Sequence, residues 1–74
     1  MDEGYIYSNK FRKAIFDEVA SGETNIKRIA KKHHIILTVA KKVAEELVNN
    51  NYLDKEGEGY NLSKEGEKLA EQIR

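Results

Sequence analysis

The chain has 74 residues and a formal net charge of zero, so it is long enough for one domain of modest stability and too short for two. Its 39% hydrophobic and 35% charged residues favour a helix-rich globule with a thin core over a disordered or membrane-embedded chain. The absence of cysteine excludes disulfides, thiolate metal sites and a cysteine nucleophile.

The sequence contains no signal that directs it to a membrane or out of the cell. No apolar run approaches the roughly 18 residues that span a bilayer. The first residues, Met1, Asp2 and Glu3, lack the basic segment of a secretion signal. We therefore expect a cytoplasmic protein with no membrane partner.

The N-terminal part predicts a short lead-in followed by one amphipathic helix. Residues 1–7 form the lead-in, whose apolar side chains pack against the helix that follows. Ser8 is the predicted N-cap of a helix over residues 8–21. The buried face of that helix follows helical spacing, with Phe11, Ala14, Ile15 and Val19. Gly22 ends it by adopting the left-handed conformation.

Residues 25–50 predict two helices joined by a tight turn. The first is capped by Thr24 or Asn25 and runs to about Lys32, with an inward face of Ile26, Ile29 and Ala30. The turn consists of His33, His34 and Ile35. The second helix runs from about Ile36 to Asn50, and its inward stripe is Ile36, Ala40, Val43 and Leu47. This register leaves an opposite, outward face of Leu37, Thr38, Lys41, Lys42 and Glu45.

The C-terminal part predicts a β-hairpin and a last helix. Asn49, Asn50 and Asn51 end the preceding helix, because Asn tolerates the left-handed conformation. Two short β-forming runs around a Gly-rich connection then predict a hairpin over residues 52–62. Ser63 caps a closing helix over residues 63–74, which docks on the core through Leu69, Ala70 and Ile73.

The segments IKRIAKKHHIILTVAKKVAEELVNNNYL (Ile26 to Leu53) and GYNLSKEGEKLAEQI (Gly59 to Ile73) carry a family resemblance. The chain resembles the winged helix-turn-helix domains of MarR-like and related archaeal and bacterial transcription regulators. The resemblance covers nearly the whole chain. It implies a mainly α fold with a small β-hairpin: a single domain over residues 1–74, with a three-helix core, a two-stranded wing and a closing C-terminal helix. It also implies double-stranded DNA binding in transcription regulation.

The chain departs from the family pattern at four positions around the turns. His33 replaces the usual Leu, and His34 and Asn51 replace glycines in the left-handed conformation, which Asn can do at small cost. Ile36 stands where the family usually has a Ser or Thr cap. Thr38 is therefore an alternative cap for a later start of the helix after the turn.

The distribution of charge indicates where DNA would bind. Between Thr24 and Ala44 the chain carries six basic residues and none of its thirteen acids. A neutral protein with one basic face still attracts phosphate, because only the local field matters within about 8–10 Å. We expect the outward residues Leu37, Thr38, Lys41 and Lys42 to reach base edges in the major groove. The flanking backbone would be held by Lys27, Lys31 and Lys32, and the wing would add Lys55, weakened by Glu56 and Glu58.

The competing function is a protein-interaction module that does not bind DNA, since one fold can serve both purposes. Leu37 and Val39 near the exposed face and the acidic wing favour it. A second copy of the chain is another possible partner, with the lead-in at Tyr5, Ile6 and Tyr7 and the closing helix as the available surfaces. Stacking of the four tyrosines on single-stranded bases is a further alternative to core packing.

Catalytic and metal chemistry find little support in the sequence. His33 and His34 are adjacent, so their side chains point apart, and no third ligand is spaced nearby. A nucleophile needs a base and a group that orients the base. The hydroxyl side chains instead fall at cap, turn or helix-face positions: Ser8, Ser21, Thr24, Thr38 and Ser63. We expect no enzymatic activity, no metal and no cofactor.

Overall fold

In the computed structural model, which describes residues 3–73, the chain forms five helices and one antiparallel hairpin. In chain order these are α1 Glu3–Tyr7, α2 Lys10–Ala20, α3 Ile26–Lys32, α4 Leu37–Asn49, β1 Leu53–Glu56, β2 Gly59–Leu62 and α5 Lys64–Ile73. The predicted class, mainly α with a small hairpin, is confirmed. The predicted ends at residues 1 and 74 lie outside the described residues.

The lead-in is helical, which the sequence did not predict. Ile6 of α1 is completely buried. The Tyr5 ring stacks on the Tyr52 ring, with centroids 5.3 Å apart. The Arg12 guanidinium also contacts the Tyr5 ring, at 4.0 Å from its centroid. A helix of five residues has no stability of its own, so these tertiary contacts hold α1 in place.

The predicted cap at Ser8 is wrong by one residue. Asn9 caps α2, since its side-chain oxygen accepts from the backbone N–H of Phe11 at 2.8 Å and of Arg12 at 3.2 Å. The Ser8 hydroxyl instead donates to the Tyr5 carbonyl at 3.2 Å, at the end of α1. The predicted end of the helix is confirmed, because Gly22 follows the C-cap with a φ of 105°.

The helix α3 and the turn after it agree with the prediction. Asn25 provides the cap, accepting from the N–H of Lys27 at 2.9 Å. The inward residues Ile26, Ile29 and Ala30 are buried. His34 has a φ of 54°, a left-handed conformation that glycine adopts most readily. Asn51 takes the same conformation after α4, with a φ of 66°.

The predicted register of α4 is right for most of its length and wrong at its start. Ala40, Val43 and Leu47 are buried, as predicted. Ile36, predicted to point inward, is 72% exposed, and its neighbour Ile35 is buried instead. Ile36 precedes the first helical residue, so the helical period does not govern its direction. Leu37 is half-buried and packs against the core, so its predicted outward placement is also wrong.

The hairpin pairs Leu53 with Leu62 and Glu56 with Gly59, which leaves a loop of two residues, Gly57 and Glu58. Gly57 has a φ of 60°, the conformation that a type II′ turn requires at this position. Leu53 and Tyr60 bring the strands into the core, where both side chains are buried. The hairpin therefore has one face on the helices and one face exposed.

Two glycines of the GYNLSKEG segment are required by close backbone approaches. A Cβ atom at Gly59 would lie 2.9 Å from the carbonyl oxygen of Thr24, which accepts a hydrogen bond from the N–H of Tyr60. A Cβ atom at Gly66 would lie 2.1 Å from the carbonyl oxygen of Tyr52. These contacts fix the hairpin to the start of α3 and fix α5 to the end of the α4–β1 connection.

The closing helix begins as predicted, because the Ser63 hydroxyl oxygen accepts from the N–H of Gly66 at 2.9 Å. Its Leu69 side chain is buried, while Ala70 and Ile73 pack partly against the core. Within residues 3–73, no helix is long and apolar enough to cross a membrane.

Candidate nucleic-acid interface

The helices α3 and α4 pack against each other across the turn at residues 33–36, and both carry exposed lysines. Four of these are Lys27 and Lys31 on α3 and Lys41 and Lys42 on α4. Among the described residues, none of these lysines forms an ion pair with a carboxylate. Thr38, also predicted to contact DNA, is exposed on the same helix as Lys41 and Lys42. We call these five residues the basic face.

The predicted contact Lys32 is engaged within the protein. Its ammonium lies 2.8 Å from a carboxylate oxygen of Glu18 on α2, and His33 Nε2 lies 2.7 Å from the same oxygen. The hydrogen bonds from Lys32 and then His33 hold the pKa of the Glu18 carboxyl below its usual value. Lys32 therefore links α3 to α2, and the Glu18 carboxylate offsets its positive charge.

The predicted wing contact Lys55 is engaged in the same way. Its ammonium lies 3.1 Å from the Glu45 carboxylate of α4, which also accepts a hydrogen bond from the Tyr60 hydroxyl at 2.8 Å. The hydrogen bonds from Tyr60 and then Lys55 lower the pKa of Glu45. Burial, reinforced by the Glu45 contact, raises the pKa of Tyr60 to about 12. The hairpin is thus fastened to α4 by a cluster that neutralises its own lysine.

A groove of about 440 Å³ separates the start of α3, the middle of α4 and the hairpin. It brings together three of the predicted contacts, Lys27, Lys41 and Lys55, and it is also lined by Glu45 and Glu58. Because Glu45 of α4 holds Lys55, the unpaired lysines of the groove are Lys27 and Lys41 on the helices, and Glu58 at the hairpin tip is its second acid. Lys31 and Lys42 lie outside this groove, on the basic face.

Comparison with family models, curated proteins and solved structures finds no match for this chain. The basic face and its surroundings are therefore the physical basis for assigning a function.

Basic residues elsewhere on the chain lie in a different electrostatic environment. On α5, Lys64 and Lys68 are exposed and form no ion pair within the described residues, but the helix also carries Glu65, Glu67 and Glu71. On α2, Lys13 pairs with Asp17 at 3.2 Å. The α3–α4 segment differs because six bases follow one another there before the first acid, Glu45. Along α3 and α4 the first carboxylate is Glu45, which lines the groove together with Glu58.

Several of the side chains weighed for other chemistry have structural roles. Tyr52 and Tyr60 are buried in the core, so their rings are not available for stacking on bases. Ser63 caps α5, and the Ser21 hydroxyl donates to the Asp17 carbonyl at 2.9 Å. Residues 3–73 contain no group of three His, Asp or Glu side chains placed to hold a metal ion.

The exposure of Ile36, which is 72%, was not predicted from the sequence. The prediction assigned Ile36 to the core by extending the period of α4 backwards, although the residue belongs to the turn. The feature of the sequence that could have indicated it is the position of Ile36 immediately before the helix. An Ile at the N-cap cannot accept a hydrogen bond, and Ile36 makes no side-chain cap.

Proposed function

We propose that this chain is a winged helix-turn-helix domain that binds double-stranded DNA, as a small transcription regulator, with α4 in the major groove. One observation carries the proposal: the exposed lysines of the basic face have no carboxylate partner among the described residues. Lysines that are left unpaired on adjacent helices attract a polyanion, because each phosphate they neutralise releases condensed counterions.

The dimensions of α4 suit this role. Its 13 residues give a helix about 20 Å long, and a B-DNA major groove about 12 Å wide admits one helix. Thr38, Lys41 and Lys42 stand at i, i+3 and i+4, so they share one side of α4. Thr38 can hydrogen-bond a base edge, while the two lysines can bind phosphate or guanine.

The remaining contacts would position the domain without reading sequence. Lys27 and Lys31 on α3 would hold the flanking backbone as point charges. Lys55 would contribute less than expected from the sequence, because Glu45 already binds it at 3.1 Å. With few phosphate contacts, we expect a monomer to bind arbitrary duplex DNA in the micromolar range.

The proposal is tested by replacing Lys41 and Lys42 together by Ala and titrating an arbitrary duplex at several salt concentrations. We expect weaker binding and a salt slope that is smaller by about 0.9 for each lost phosphate contact. The matched control replaces Lys64 and Lys68 on α5 by Ala, which removes the same charge from another surface and should leave the slope unchanged. Equal losses in both variants would mean that only net charge matters, which contradicts the proposed interface.

The alternative, an interaction module that does not bind DNA, has less apolar surface than the sequence suggested. Leu37 and Val39 were its main support, and both are half-buried against the core. Ile36 is the large apolar side chain that remains exposed within the described residues. A parent protein that binds no duplex at low salt would favour the alternative.

A further inference from the structure

Ile36 has no folding role that accounts for its identity. It is 72% exposed, and among residues 3–73 it is the exposed large hydrophobic side chain. It occupies the N-cap of α4 with φ −59° and ψ 130° and makes no side-chain cap hydrogen bond. A Ser or Thr there would stabilise α4 by capping it. The position therefore carries an apolar group in water where a polar one would fold better.

The surroundings of Ile36 favour a polyanion over a protein partner. The residue lies at the start of α4, two positions before Thr38, and the turn joins it directly to the end of α3. The flanking helices carry the unpaired lysines of the basic face, and Leu37 beside it is half-buried. A stable protein interface buries about 1,200–2,000 Å², which one isolated apolar side chain between two lysine-bearing helices does not supply.

We infer that Ile36 is a specificity-determining contact that reads the C5 methyl of thymine; this inference rests on the proposed DNA binding. The N-terminal residues of a helix in the major groove contact base edges, and the thymine methyl is the apolar group presented there. Contact between the Ile36 side chain and that methyl removes apolar area of both from water. The lysines hold the backbone, and Ile36 gives the domain a preference for sites with thymine under the start of α4.

The test compares a duplex of alternating dA and dT with the same duplex in which every thymine is replaced by uracil. The replacement removes the methyl groups and keeps the phosphates and the base pairing. We expect the parent protein to bind the thymine duplex about fourfold more tightly, the worth of burying one methyl. Ile36→Ser should reduce this ratio to about one, and Ile36→Val should retain most of it.

Folding does not confound this experiment, because Ile36→Ser introduces a capping hydroxyl and should raise the melting temperature. Thr38→Ser removes the methyl of the other exposed side chain at the start of α4 and keeps its hydroxyl, so it tests whether the preference for thymine comes from Thr38 instead of Ile36. The inference is overturned if Ile36→Ser keeps the parent ratio, or if the ratio is lost in Thr38→Ser instead. It is also overturned if the parent is a dimer that Ile36→Ser makes monomeric, because a second copy then covers the residue.

Failure here is separable from failure of the proposed function. Equal binding of both duplexes, with the Lys41 and Lys42 salt dependence intact, removes the role of Ile36 and leaves the DNA interface standing. Absence of binding to either duplex at low salt removes both.

Discussion

At the scale of single residues, Gly66 shows how a backbone contact can outweigh helix propensity. Alanine is the better helix former by about 1 kcal/mol, so an unconstrained Gly66→Ala change within α5 would stabilise the protein. Here the added Cβ would lie 2.1 Å from the Tyr52 carbonyl oxygen, a backbone atom that cannot move aside freely. We expect Gly66→Ala to destabilise the domain by about 1–3 kcal/mol, measured by thermal or urea unfolding.

The sign of that change is decisive. Glu65→Ala on the exposed side of α5 is the control, and it should leave stability within about 0.5 kcal/mol. A higher melting temperature for Gly66→Ala would mean that α5 does not pack on the α4–β1 connection.

The roles of some single residues could not be predicted from the sequence. Ser8 and Asn9 are both good caps, so the sequence alone could not choose between them. The choice depends on α1, because the Ser8 hydroxyl donates to the Tyr5 carbonyl of that helix and leaves Asn9 to cap α2. The need for glycine at positions 59 and 66 was not predictable either, because the carbonyl oxygens of Thr24 and Tyr52 approach them only in the folded chain.

At the scale of elements, the hairpin is fastened to α4 by a hydrogen bond between Tyr60 and Glu45, which yields a pH-dependent prediction. The pKa of Glu45 is lowered in the folded protein, so its contribution to stability is present above its usual value of 4.5. That contribution is lost as the pH falls through the lowered pKa. Tyr60→Phe removes the hydroxyl and should cost about 1 kcal/mol at pH 7 and progressively less below pH 4.5.

The control for this prediction is Tyr5→Phe, because the Tyr5 hydroxyl accepts a hydrogen bond from the Asn50 side-chain amide, which does not titrate in this range. Its cost should not vary across the same pH range. Urea unfolding of the three proteins between pH 3 and pH 7 measures both effects. A Tyr60→Phe cost that is constant over this range would show that the hydroxyl does not stabilise the Glu45 carboxylate.

The sequence predicted the helices correctly where the helical period of apolar residues is long. The prediction failed where that period is short. The apolar stripes of α2 and α4 extend over about two turns and that of α3 over more than one, and the core residues Ile29, Val43 and Leu47 are buried as predicted. The five residues of α1 are too few to show a period, and their helix depends on distant contacts such as Tyr5 with Tyr52. Ile36 failed for the same reason, since it precedes the first turn of α4.

At the scale of the whole molecule, the neutral net charge conceals a separation of charge between surfaces. Thirteen acids balance thirteen bases, yet the segment from Thr24 to Ala44 holds six bases and no acid. That separation was readable from sequence. What was not readable is which bases remain unpaired, because Glu18 and Glu45 reach Lys32 and Lys55 only through the packing of α2, α4 and the hairpin.

The hairpin tip gives the last prediction, because it places acids beside the proposed DNA surface. Glu58 lines the groove that also contains Lys27 and Lys41, and Glu56 lies at the end of β1. Replacing Glu56 and Glu58 together by Gln removes two negative charges from this side while keeping the size of the side chains. We expect duplex binding to tighten by about twofold to tenfold at low salt, since repulsion of the phosphates is relieved.

The gain should disappear as salt is raised, because the screening length falls from about 10 Å at 0.1 M to about 3 Å at 1 M. The control replaces Glu65 and Glu67 on α5 by Gln, which changes the net charge equally on a helix outside the proposed interface and should leave affinity unchanged. Fluorescence anisotropy with one labelled duplex compares the three proteins directly. Weaker binding by the hairpin double variant than by the parent would contradict this prediction. It would mean that the carboxylates of Glu56 and Glu58 make favourable contacts with DNA and that the hairpin belongs to the DNA-binding surface.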